Sequence, residues 1–388
     1  MDPLTHALSG ALVGESFLPK AEQRISRWAI MAGSVFPDID VVMNPFEPHD
    51  VGTIRWHRGV THSLVCLPVF AVALAALARW ICRRRGIPCP GWASLSGFFG
   101  FGIALHIFFD LITSFGTMVW SPLDWTRHAW DTTFIIDAFF TACMLFPLLL
   151  AWIYSDREMQ HRRAMLVWIV AALFSTLVAW SVRSVGVPSL FSDALILTAL
   201  LGALILAAGW RGWGYGVSRA AWCRGGLVAT TLYLVLCFAA HQRALEAVRQ
   251  FASARRLQVE SLAALPMPPS LLDWSGLVRT PEGIYQAYFG VLKPREASYL
   301  FVAAGPSNHY VDAARRLPAV RAYLQFARFP FVVGKEERAE YIVEFKDMSF
   351  FPRRGNSPLF VYRVTLDAAG KALTVRWERA CDLTQTCR

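Results

Sequence analysis

Apolar positions fall in long blocks over the first two thirds of the chain and alternate with polar ones over the last third. Six blocks, at residues 63–82, 94–112, 133–154, 164–182, 191–210 and 220–240, approach the ~20 mostly apolar residues that cross a bilayer as a helix. They predict six membrane spans. Two shorter blocks, at 4–18 and 28–36, predict short or re-entrant helices, and the start Met1-Asp2-Pro3 lacks the basic region of a cleavable signal peptide. From residue 242 the texture changes. Residues 243–260 read as an amphipathic connecting helix, and Pro266-Met267-Pro268-Pro269 marks a rigid break. Residues 341–346, 359–366 and 372–377 alternate like half-buried strands, and 311–328 has helical periodicity. The pattern predicts a polytopic α-helical membrane domain over 1–241, with six long spans plus two short N-terminal helices. A small extramembrane α+β domain, mostly antiparallel sheet, is expected over 242–388.

Composition sharpens this division. The 388 residues are 55% hydrophobic and 17% charged, against about 25% charged in soluble domains. A purely soluble or disordered chain is excluded. The formal net charge of +10 is unevenly spread, with +3 before residue 242 and +7 after it. Beside a membrane such a surplus signals loop retention and attraction to anionic lipid. Membrane lipid is therefore the expected partner, and without a finger or RNA-binding signature no nucleic acid is expected. Of the 17 Lys and Arg before residue 242, 13 fall on one side of the predicted spans, among them Lys20, Arg24, Arg27 and Arg83 to Arg85. If that side is cytoplasmic, the loops at 37–62 and 113–132 and the tail domain face outward. In a bacterium this describes a multi-pass inner-membrane protein with a periplasmic tail domain. Among eight cysteines there is no zinc-type Cys-x-x-Cys, but Cys381 and Cys387 are spaced for a small disulfide in an oxidising compartment.

The chemistry lies near the front. Five of nine histidines, His6, His49, His57, His62 and His106, precede residue 107 and are interleaved with Asp38, Asp40 and Asp110. Ionisable groups at membrane depth are costly and mark functional sites by default. His106 and Asp110 share a helix face at i, i+4 spacing. Asp38 and Asp40 share a side of an extended Pro-Asp-Ile-Asp segment. His57 and His62 flank Gly59 just before an apolar block, and His6 lies on a helix rich in small residues. The predicted topology brings all of these to the outer boundary. His6, Asp38, Asp40, His57, His62, His106 and Asp110 are thus candidate ligands for one or two divalent ions, zinc or manganese foremost. Asp131 and Asp137 are candidates to join them or to orient a ligating histidine. Asp40 or Asp110 would accept a proton from metal-activated water, and the Arg58 fork would hold a phosphate oxygen.

Together His6, Pro37-Asp38-Ile39-Asp40, His57-Arg58-Gly59-Val60-Thr61-His62-Ser63, His106-x-x-x-Asp110 and Thr113-Ser114-Phe115-Gly116-Thr117 resemble the YdjM-like family of membrane-bound metal-dependent hydrolases. The likeness covers about residues 1–150, including Trp120-Ser121-Pro122, Arg127 and Phe134-Ile135-Ile136-Asp137. It implies a hydrolase and leaves the substrate open. A site at the bilayer surface favours a phospholipid or other lipid-linked phosphoester. Two other classes are weighed against this, a metal-ion transporter and an envelope scaffold with a structural metal. Protein partners are not indicated by the sequence.

Overall fold

In α1 (Pro3–Phe17) the chain enters a helix whose first turn is tied by Asp2, which accepts from the Thr5 amide and hydroxyl. This is a computed structural model, and it describes residues 1–18, 20, 23–46, 51–183, 199, 202, 216–337, 340–350 and 360–378. After α1 come α2 (Arg24–Gly33), a 3₁₀ stretch (Phe36–Phe46), a short α3 (Gly52–Arg55), α4 (Leu67–Arg85) and α5 (Trp92–Leu111). An irregular segment then leads to α6 (Ala138–Ile153), α7 (Gln160–Arg183) and α8 (Arg219–Ala254).

Helices α2 and α5 pack in close backbone contact. A Cβ at Gly102 would stand 2.2 Å from the Ile30 carbonyl oxygen, and one at Gly33 2.5 Å from that of Phe99. Only hydrogen there lets the two backbones meet, as small residues do at membrane helix interfaces. Ala29, Leu95, Phe99, Ile103 and Ile107 close the seam around them.

The six expected spans are not all found. Among the described residues two helices are long and apolar enough to cross a membrane, α5 and α8. Residues Gly52–His62 with Leu67–Arg85 make a third only if that pair, bent by 77°, counts as one broken span. The block at 133–154 yields the shorter α6 because Asp137 accepts from the Phe139 and Phe140 amides and starts the helix late. The block at 63–82 enters its helix only at Leu67, after a 3₁₀ turn at Val60–His62. The block at 164–182 lies in α7, whose side chains are described only to Leu173, and the block at 191–210 lies outside the described residues except Ala199 and Gly202. Cys381 and Cys387 also lie outside them.

Helix α8 has two surroundings. Its first half leaves Val228, Leu232, Val235 and Phe238 bare, as lipid contact requires. Its second half buries Ala244, Val248 and Ala252 against Trp274, Val278 and Phe289 of the tail. The tail comprises two four-stranded antiparallel sheets. One runs β1 (Ser261–Met267), β2 (Asp273–Thr280), β3 (Gly283–Gly290), β4 (Leu300–Ala303), and the other β5 (Pro330–Glu337), β6 (Glu340–Asp347), β7 (Val361–Leu366), β8 (Ala372–Glu378). The helical stretch expected at 311–328 is two helices, α9 (His309–Arg315) and α10 (Pro318–Phe326). Pro318 lacks the amide a continuous helix would need, and it opens α10 instead.

The tail docks on the segment after α5. Arg328 grips Asp131 with both terminal nitrogens, at 2.6 and 2.8 Å, and Phe115 packs against Phe326 at 5.0 Å between ring centres. Val51 and Ile54 join the same tail core as Val343, Phe345 and Tyr362.

Candidate metal centre

His106 and Asp110 lie one turn apart near the end of α5, both fully buried. His62 ends the 3₁₀ turn that precedes α4, and Asp38 sits in the first turn of the 3₁₀ stretch after α2. Their ligand atoms converge. His62 Nε2 and His106 Nε2 are 3.0 Å apart. Asp38 Oδ1 is 3.5 Å from the first and 3.4 Å from the second. Asp110 Oδ2 is 3.2 and 3.4 Å from the same two nitrogens. A tetrahedral ion with ligands at about 2.0–2.1 Å separates its donors by about 3.3 Å. Five of the six edges of this group match that spacing, and all four atoms lie within 4.8 Å of one another.

The partners behind each ring set its tautomer. His106 Nδ1 lies 2.8 Å from the Ser34 carbonyl, which can only accept, so Nδ1 carries the proton. His62 Nδ1 faces Asp40 Oδ2 at 3.2 Å and Thr61 Oγ1 at 3.0 Å, while Thr61 donates its own proton to Asp40. Its Nδ1 therefore donates too. In the neutral rings both Nε2 atoms are bare lone pairs pointing at one spot, and the buried Asp110 Oδ2 beside them has no hydrogen-bond partner. A divalent cation would satisfy that arrangement, with two carboxylates offered to the same point. These four residues can hold a metal ion.

Asp40 takes a different part. Its oxygens accept from His57 Nδ1 (2.8 Å), the Arg58 amide (3.0 Å) and Thr61 (3.0 Å), and one faces His62 Nδ1. With His57 and His62 it forms a second group of metal-competent type. In the four-donor arrangement it is the carboxylate that orients a ligating imidazole. Burial raises the Asp40 carboxyl, but hydrogen bonds from His57 and His62 outweigh this and hold it well below the usual carboxylate range. At Asp38 burial is likewise outweighed, by the facing His106 and His62 rings. Both acids are ionised at neutral pH.

His6 stands beside the four donors. Its ring stacks on His106 with centres 3.6 Å apart, and its Nε2 meets Asp110 Oδ1 at 3.2 Å. Burial, then His106, pushes the imidazole down to about 3, so it is neutral at pH 7. The same carboxylate oxygen receives the Met1 amine and Arg58 Nη2, the latter at 3.0 Å. Arg58 Nη1 donates to Thr113 Oγ1 at 2.8 Å and to the Asp110 carbonyl. The Arg58 side chain is 1% exposed and both its terminal nitrogens are taken, by Asp110 and Thr113, so it braces Asp110 and is turned away from a phosphate oxygen. Its backbone sits at φ 62°, held by bonds from its amide to Asp40 and from Met118 to its carbonyl.

Asp131 and Asp137 do not reach the centre. Both oxygens of Asp131 are occupied by Arg328. Asp137 caps α6 and accepts from Tyr233 at 2.7 Å and from the Ser270 amide. Sequence reasoning also missed Ser34, Thr61 and Thr113. Ser34 acts through a backbone carbonyl, which no side-chain pattern reveals, while the two threonines lie inside the recognised motifs as possible donors.

Residues 1–185 match the family model described as YdjM inner membrane protein. The likeness read from the motifs is therefore borne out over residues 1–185, and with the apolar helices it points to membrane association. No curated protein and no solved structure matches it.

Proposed function

We propose that this YdjM-type membrane protein is a metal-dependent hydrolase acting on a lipid phosphoester. The observation that carries the reading is the convergence of His62, His106, Asp38 and Asp110, with two bare nitrogens and an orphaned carboxylate oxygen facing one point. A divalent ion held there supplies Lewis-acid polarisation and acidifies water. The mixed nitrogen and oxygen donors suit zinc or manganese.

The remaining steps fall to protein groups. Asp40 is saturated with donors and the free oxygen of Asp110 is turned toward the ion position, which leaves His57 as the proton carrier. It is backed by Asp40 through Nδ1 and is 17% exposed, with its ring centre 5.6 Å from that of His62. Asp38, 16% exposed, forms the open wall of an otherwise buried set. The apolar residues Ile39, Val42, Met43 and Phe46, half or more exposed, continue directly from that wall. Such a rim belongs in lipid, which favours a lipid substrate at the opening. The centre and the tail lie at the end of α5 remote from Arg83 to Arg85, and an arginine-rich cytoplasmic side supports reading both as outside the cytoplasm, with the tail periplasmic.

One observation favours a second reading. Four protein donors, three of them fully buried, form the closed set typical of a structural ion, as a scaffold role requires. The test is turnover of a panel of phospholipids and lipid-linked phosphoesters in detergent. Hydrolysis abolished by chelator, restored by zinc or manganese and lost in His57→Gln supports the enzyme. A metal-loaded protein that is stabilised but turns over nothing supports the scaffold.

A further inference from the structure

A cavity of about 820 Å³ opens between the segment 115–129 and the end of α10. Its volume falls within the ~300–1,000 Å³ of small-molecule sites and far exceeds the room an inorganic ion needs. Phe115, Trp125 and Phe326 supply aromatic wall, and Arg127 and Arg328 supply charge. Arg328 is neutralised by Asp131. Arg127 is not.

The Arg127 guanidinium donates to three backbone carbonyls, those of Gly116 (3.2 Å), Ile54 (2.8 Å) and His57 (2.9 Å). A guanidinium has five N–H donors, so two remain, and among the described residues no carboxylate pairs with it. Its neighbour in charge is another cation, for Arg58 and Arg127 lie against the Phe115 ring at 4.9 and 5.4 Å. Burial, then the Arg58 charge, pushes the Arg127 group below its ordinary value. The one acid on the wall, Asp124, is turned to the Thr126 amide and hydroxyl. His128, also on the wall, has an Nε2 without a hydrogen-bond partner. Around the same segment Trp120, Leu123 and Trp130 are exposed by 48, 79 and 52%. Tryptophans so placed anchor a protein at the depth of lipid head groups.

We propose that this cavity binds an organic phosphate, its charge on Arg127 and its organic part between the aromatic walls. The ligand is either the head of an anionic lipid or a water-soluble phosphate ester. The site is separate from the metal centre but wired to it, since Arg127 holds the carbonyl of His57, whose ring holds Asp40. Binding here needs neither metal nor turnover, so it goes beyond the hydrolase reading and can fail independently of it.

The test is calorimetric titration of the full chain in detergent with a chelator present. The probes are glycerol 1-phosphate and, below its micellar concentration, dihexanoyl phosphatidic acid. Comparable affinity for both assigns the site to soluble phosphate esters, and clear preference for the second assigns it to lipid heads. Either is lowered about tenfold in Arg127→Gln, the loss expected for a charged hydrogen bond. Gln325→Glu, a change at an exposed wall position, adds a repelling charge without touching the core and weakens binding several-fold. Absence of binding to both probes, or affinity unchanged in Gln325→Glu and in a folded Arg127→Gln, overturns the proposal.

Discussion

His62 and His106 face each other through their Nε2 atoms across 3.0 Å, each turned there by an acceptor behind it, Asp40 for one and the Ser34 carbonyl for the other. The centre is thus preorganised from the outside. The groups that orient the rings matter as much as the donors that meet between them.

Asp40→Asn tests this role. The amide keeps the shape but can present an N–H to His62 Nδ1, which unsettles the tautomer. Metal affinity, read by competition with a chromogenic chelator, should fall about 10- to 100-fold although all four converging donors remain. An unchanged affinity would show that Asp40 does not orient the ring.

The α2 to α5 seam supplies the second partner. Gly102→Val places a Cβ 2.2 Å from the Ile30 oxygen, forcing α2 away and with it the Ser34 carbonyl. Overpacking of this kind costs about 1–3 kcal/mol or more, visible as a lower melting temperature together with weaker metal retention. Gly97→Ala, where nothing lies within 4 Å of an added Cβ, should melt no lower than the parent. Equal melting of all three would mean that the seam does not position the Ser34 carbonyl.

Arg328→Ala should loosen the tail. It strips the counter-ion from Asp131, whose side chain is 8% exposed, and such stranding costs about 1–3 kcal/mol. Limited proteolysis should then cut the tail faster, and adding Asp131→Asn should restore part of the protection. Identical digestion patterns would mean the pair does not hold the domains together.

A pH dependence arises from Glu344 on β6. Burial raises its carboxyl, but hydrogen bonds from Lys346 and then Arg363 bring it below the ordinary 4.5. A depressed folded value means the contribution to stability is complete above about 4.5 and fades as pH falls further. The stability gap between parent and Glu344→Gln should therefore be widest near neutrality and narrow below pH 4.5. A gap constant from pH 7 to pH 3 would rule this out.

How much of the molecule is legible in the sequence differs by level. Asp38, His62, His106 and Asp110 stand out because charged groups in apolar sequence are rare and their spacings place them on shared faces. The structure brings those four side chains together. Arg58, Asp131 and Asp137 stand out for the same reason, yet each is engaged elsewhere, by Asp110, Arg328 and the start of α6. Residue type alone cannot tell a ligand from a brace or a cap. The spans are the larger discrepancy. An apolar run reports removal from water, not whether lipid or protein replaces it, and a cap such as Asp137 or a turn such as Val60–His62 shortens a helix inside an apolar run.

The decisive measurement is elemental analysis of the full chain purified in detergent, beside His62→Ala, His106→Ala and Asp137→Ala. Near-stoichiometric zinc or manganese is expected in the parent and in Asp137→Ala, with its loss from both histidine variants. A parent that stays free of metal after loading, or histidine variants that retain it in full, would refute the centre itself.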